Sequence, residues 1–135
     1  MSKTSKPPIS QHFVNLGAPL RNVVNSWGAV RGDGAVILRV WSDRRRQIDG
    51  RWFRQLLHKT SAQKVGYIER AEHVALIRAG ARGYMVIVTA VDAEASPRKI
   101  ATYNPDRLVP IGELVEIDGE VWGECLSPVN ARQGS

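Results

Sequence analysis

The sequence predicts an α+β fold: a small mixed, mainly antiparallel β-barrel or curled sheet with one main packed helix. Three observations carry that expectation. Asp-Gly pairs at 33–34, 49–50 and 118–119 each separate two strand-like runs. One segment, Ile68 to Ala79, has clear helical spacing, and one run, Tyr84 to Val91, is apolar without polar alternation. An Asp-Gly pair is a hairpin signal because both central residues of a type I′ turn need positive φ, which Gly accepts freely and Asp tolerates.

The elements follow in chain order. Met1 to Ser10 is polar and carries Pro7-Pro8, so residues 1–12 are expected as a flexible arm, 13–127 as one globular domain and 128–135 as a tail. Asn25 to Arg31 pairs with Ala35 to Trp41 through Asp33-Gly34. A two-residue loop would set Val30 against Ile37, Gly28 against Arg39 and Trp27 against Val40. The two tryptophans then point to opposite faces, Trp27 with the core residues Val36, Leu38 and Val40, and Trp41 with Arg39, Ser26 and Gly28. Around Asp49-Gly50 a second hairpin sets Gln47 against Trp52 and Arg46 against Phe53, giving a strongly basic ribbon. Residues 58–66 are polar and breakable, a loop carrying Lys59 and Lys64. In the helix, Ile68, Ala71, Ala75, Leu76 and Ala79 form the apolar stripe, Glu69 and Glu72 lie in the first turn, and Gly80 supplies the C′ position. Tyr84 to Val91 reads as a central strand covered on both sides. Ile100 to Tyr103 is a short strand, Asn104-Pro105-Asp106 turns the chain, and Leu114 to Ile117 pairs with Glu120 to Leu126.

Composition narrows the function. The chain has 135 residues and one cysteine, Cys125, so an internal disulfide is excluded, and no Cys/His spacing suits zinc. Neither a leader nor a long apolar stretch is apparent, so a cytoplasmic, reduced setting without membrane insertion is expected, and no cofactor is implied. Residues 1–111 hold 18 Lys and Arg against 8 Asp and Glu, whereas residues 112–135 hold 1 against 5. Fourteen of the 19 cations are arginine, whose planar fork suits phosphates and base edges, so nucleic acid is the expected partner, DNA ahead of RNA.

Trp41 is the candidate stacking residue, a large ring beside Arg39. Asn22, Asn25 or Asp43, flanking the hairpin, would test the edge of a base, while Arg39, Arg44, Arg45, Arg46, Lys59 and Lys64 would hold phosphates. No phosphate-cradling Gly-rich loop, nucleophile elbow or His-Glu-x-x-His motif is present. Glu69 and His73, four apart on one helix, and Asp92 and Lys99 near the end of the central strand are the candidate acid-base groups of an alternative enzymatic reading.

The order of elements resembles the PUA-like group, whose relatives include EVE, ASCH, YTH and SRA domains. The likeness rests on a basic two-stranded start with Ser26-Trp27-Gly28, one helix ending at Gly80, the long strand Tyr84 to Val91 and a closing pair of strands. Leu16-Gly17-Ala18-Pro19-Leu20-Arg21-Asn22, Ser26-Trp27-Gly28-Ala29-Val30, Leu38-Arg39-Val40-Trp41 and Glu69-Arg70 also look like pieces of a prokaryotic domain associated with restriction-type nucleases. The resemblance implies a module that reads a modified or flipped base in an aromatic pocket. Two alternatives stay open: an ASCH-like hydrolase acting on modified nucleosides, and a protein-interaction module of a nuclease or defence complex whose cutting subunit is a separate chain.

Overall fold

A computed structural model describes residues 8–20, 27–58, 65–94 and 99–131, without the side chains of 65–67. It is an α+β structure of two helices and nine strands. Helix α1 spans Ile9–Asn15 and α2 Val65–Arg78. The strands are β1 (Gly28–Val30), β2 (Val36–Trp41), β3 (Arg45–Ile48), β4 (Arg51–Leu57), β5 (Gly83–Ala90), β6 (Ile100–Tyr103), β7 (Arg107–Ile117), β8 (Glu120–Cys125) and β9 (Val129–Asn130). They pair in the order β1-β2-β5-β7-β8-β4-β3, with β6 also on β5 and β9 also on β7. This path has two ends, β1 and β3, so the sheet is open and does not close into a barrel. All pairings are antiparallel except β2 with β5. A parallel neighbour needs a long crossover, and here the β3–β4 hairpin and α2 supply it. No helix of the described residues is long and apolar enough to cross a membrane.

Strand β5 is central, as its composition predicts: β2 pairs along one edge, β6 and β7 along the other. Both faces of β2 and β5 are covered, which is why neither strand alternates in polarity. On one face Ile37, Tyr84, Val86 and Val88 pack on Phe13, Ala18, Tyr103 and Leu108. On the other, Val36, Leu38, Val40 and Met85 pack on Leu56, Val74 and Val121. The long strand β7 joins the two halves, pairing first with β5 at Val109 and Pro110 and then with β8 from Ile111 onward.

Two of the three Asp-Gly hairpins form as the sequence indicates. Asp49 and Gly50 have φ of 52° and 77°, and Asp118 and Gly119 have 53° and 80°, the double positive φ of a type I′ turn. Register follows: Gln47 faces Trp52, Arg46 faces Phe53 and Ile117 faces Glu120. The first hairpin departs. Arg31 N–H donates to Ala35 O, and Gly34 N–H to Arg31 O, at 2.7 and 2.8 Å. Only Gly34 has positive φ, 91°. The loop is therefore three residues, a turn closed by a left-handed glycine. Register moves by one, to Gly28 against Leu38, Ala29 against Ile37 and Val30 against Val36. The cause is Asp33, whose carboxylate accepts from Ala35 N–H at 3.1 Å and from both Arg31 Nε and Nη2 at 2.9 Å, and pairs with Arg82 at 2.9 Å. A type I′ turn would spend Asp33 on the backbone turn and forgo this network.

Both helices end in a Schellman motif. Ala18 N–H reaches Phe13 O and Gly17 N–H reaches Val14 O, while Ala81 reaches Leu76 O and Gly80 reaches Ile77 O. Gly80 is thus the C′ residue that the sequence indicates. Helix α1 lies partly within the expected arm and anchors it by burying His12 and Phe13. Helix α2 starts three residues before the expected Ile68, and its buried face differs. Ile68 is 52% and Leu76 43% exposed, whereas Glu69, Arg70, His73 and Val74 are buried. The helix is turned so that a guanidinium, rather than an alanine stripe, meets the sheet.

Candidate functional site

The one-residue shift in the first hairpin reassembles the predicted site. Arg39 N–H donates to Trp27 O at 2.7 Å, so Trp27 lies opposite Arg39, and side-chain alternation places Trp27, Arg39 and Trp41 on one face. The expectation that the two tryptophans point apart is overturned. Their ring centroids are 5.6 Å apart with planes at 64°, an edge-to-face pair. The Arg39 guanidinium lies over Trp27, its carbon 4.3 Å from the ring centroid. Trp41 is half-buried, packed at its base against the Val88 and Tyr103 cluster.

Arg39 itself is not on the surface. It is 8% exposed, and its Nε is buried with no hydrogen-bond partner. Burial pushes its pKa down to about 10, so it still carries its charge at neutral pH. The phosphate contact expected of Arg39 is therefore replaced by a lining position beneath the two indoles.

Behind this cluster stands Arg70 of α2, which the sequence reading passed over. Its Nη1 donates to Trp27 O and its Nη2 to Arg39 O, both at 2.7 Å, and its Nε donates to Leu56 O. Three backbone carbonyls from three strand segments thus converge on one planar fork, a task a single ammonium cannot perform. Burial, and then repulsion from Arg39, push its pKa down to about 9. The carbonyls it holds belong to the two residues that stack on one another, so Arg70 positions the cluster through its backbone. The available signal was an arginine at helical spacing with Val74 and Ile77, one turn ahead of the first and two ahead of the second.

From Trp41 the chain turns directly into the cationic strip. Arg44 N–H donates to Trp41 O at 3.2 Å, and Arg44 O accepts from Gln55 N–H at 2.9 Å. Arg44, Arg45 and Arg46 are exposed, and among the described residues none has a carboxylate within ion-pair distance. Alternation divides them. Arg45 lies over Trp52 at 4.9 Å, and Arg46 over Trp122 at 5.0 Å on the opposite face. Trp52 is itself 45% exposed. Arg51 differs, since Glu113 at 2.9 Å and Glu124 at 3.3 Å hold it and raise its pKa. Asp43 is exposed at the same turn as Arg44. Asn22, Asn25, Lys59 and Lys64 lie outside the described residues.

The acid-base candidates are placed less openly. Glu69 and His73 are both buried under α2. Asp92 accepts the backbone N–H of Glu94 at 3.0 Å, the local bond of a turn-forming aspartate. Cys125 lies between Arg54, whose Nη1 donates to its sulfur at 3.3 Å, and the Met85 sulfur at 3.9 Å. No family model, curated protein or solved structure matches the chain.

Proposed function

We propose that this protein is a nucleic-acid-binding module of PUA-like type that takes one unpaired or extruded base against the Trp27–Trp41 pair and grips the flanking backbone with Arg44, Arg45 and Arg46. The observation that carries this reading is the joining of three features within one turn of chain: a half-buried indole, a buried guanidinium beside it, and exposed arginines with no carboxylate of the described residues at ion-pair distance. Extruding a base costs a few kcal/mol and is offset by stacking of about 1–3 kcal/mol per base on an aromatic surface. The arginines contribute the sequence-independent, salt-sensitive share of affinity. DNA, a separate nuclease chain as partner and a bias toward modified bases belong to the same proposal.

The test is binding of the isolated chain to matched single- and double-stranded oligonucleotides, modified and plain, at two salt concentrations. Trp41→Ala should lose discrimination between these probes, whereas Arg45→Ala should weaken all of them alike. Affinity that does not change with salt would remove the proposal.

A further inference from the structure

Arg39 presents a problem that the fold alone does not solve. A guanidinium that is 8% exposed normally meets a carboxylate or a set of carbonyl oxygens. Arg70 shows the second solution, with donors from all three of its nitrogens placed on backbone oxygens. Arg39 shows neither. Its Nε has no partner, and no carboxylate of the described residues lies within ion-pair distance. Its companions are the Trp27 ring at 4.3 Å and a second buried cation, Arg70, which repels it. The ring attracts the charge but offers no lone pair in the plane of the guanidinium. Among the described residues nothing accepts from its Nε, which leaves that donor for a group outside them.

The chemistry of that group is constrained. Arginine donates and never accepts, so an edge that presents an amino group would set donor against donor in a buried site. Among the edges that bases turn to the major groove, guanine alone places two acceptors, N7 and O6, side by side at the spacing of an arginine fork, whereas an unpaired cytosine has adjacent acceptors only at N3 and O2 of its pairing edge. Adenine offers N7 beside an amino group, and cytosine presents an amino group at the corresponding position. We infer that the Trp27–Arg39–Trp41 cluster selects guanine, with Arg39 donating to its N7 and O6 edge while the indoles cover the ring. This rests on the base-binding reading above and adds the identity of the base. Because Arg39 is charged and buried, with its Nε unpartnered among the described residues, the acceptors meet a donor with little water to lose, and the contact discriminates more sharply than it would at the surface.

The experiment measures anisotropy of fluorescein-labelled, single-stranded oligo-adenine probes carrying one central guanine, 7-deazaguanine, adenine or cytosine, against the full chain at low salt. The wild type should bind the guanine probe about tenfold or more tightly than the adenine and cytosine probes. Replacing N7 by carbon in 7-deazaguanine should erase most of that preference. Arg39→Met and Arg39→Lys should bring the probes within about twofold of one another, the lysine variant because its ammonium lacks the fork. Both variants should keep the salt dependence set by Arg44 to Arg46, and their melting curves report whether they fold. The 7-deazaguanine comparison uses the wild type and stands even if neither variant folds. Wild-type binding to all probes within twofold, or a preference for adenine or cytosine, would overturn the guanine inference and leave the nucleic-acid reading intact. Absence of binding to every probe at low salt would overturn both.

Discussion

The contrast between Arg45 and Arg51 makes the nucleic-acid reading quantitative. The two arginines lie on neighbouring strands of the β3–β4 hairpin, but they differ in how their charge is compensated. Arg51 is held by Glu113 and Glu124 at 2.9 and 3.3 Å, whereas no carboxylate of the described residues pairs with Arg45. A cation that neutralises a phosphate releases a condensed counterion, so each such contact steepens the dependence of log affinity on log salt by roughly 0.7 on single strands. Alanine at Arg45 should therefore flatten the slope by about 0.7, equivalent to about 2.6-fold in affinity over a fourfold change in salt. Replacing Arg44, Arg45 and Arg46 together should flatten it by about 2, or roughly 18-fold over the same range. Arg51→Ala should change the slope by less than about 0.3, because its charge is already balanced within the protein and is screened beyond roughly a Debye length. Fluorescence anisotropy titrations of one single-stranded probe at three or more potassium chloride concentrations provide the slopes. Equal slopes for Arg45→Ala and Arg51→Ala would refute the assignment of the strip.

Four further outcomes follow from the packing. Gly28→Ala should destabilise by about 2–3 kcal/mol in thermal or urea unfolding, because an added Cβ would meet Ile37 O at 2.6 Å and Leu38 Cδ2 at 2.8 Å. Gly32→Ala, with nothing within 4 Å of its Cβ, should be close to neutral. Arg31, the Ala35 N–H and Arg82 hold the Asp33 carboxyl well below its ordinary range. As acid is added the unfolded chain takes up that proton first, so the stability contributed by Asp33 is complete above about pH 4 and is lost as pH falls below it. Asp33→Asn should flatten the acid limb of a stability-versus-pH curve, and an unchanged limb would remove the network from the account. Arg70→Lys should destabilise by about 3–5 kcal/mol, since one ammonium cannot replace bonds to Leu56, Trp27 and Arg39 oxygens, and a drop under about 1 kcal/mol would contradict the clamp.

What the sequence made legible was local. The 49–50 and 118–119 turns, the register of Gln47 with Trp52, the centrality of β5 and the Gly80 cap each depend on signals within a few residues. Asp33-Gly34 is the same dipeptide and closes a different loop, in which the Asp33 carboxylate is held by Arg31, by the Ala35 N–H and by Arg82, 49 residues away. That single step in register decides whether the tryptophans meet, so two rings that share one face were expected on opposite ones. The rotation of α2 was hidden for a related reason. A buried arginine is stabilised by carbonyls of distant segments that no spacing rule displays, and the alanines of the expected stripe lose little when left outside. Helix α1 was passed over because it has seven residues, no side-chain cap and no acidic first turn, although Leu16-Gly17 carried the C-terminal stop.

The three-pronged grip of Arg70 ties two events that a stationary picture keeps apart. If the helix lifts, the backbone oxygens of Trp27 and Arg39 lose their shared anchor, and the proposed receptacle for a base ceases to exist. Occupancy of that receptacle must then, by linkage, resist detachment of the helix. Amide exchange along α2 would slow when a guest is seated, although no part of the helix need touch it.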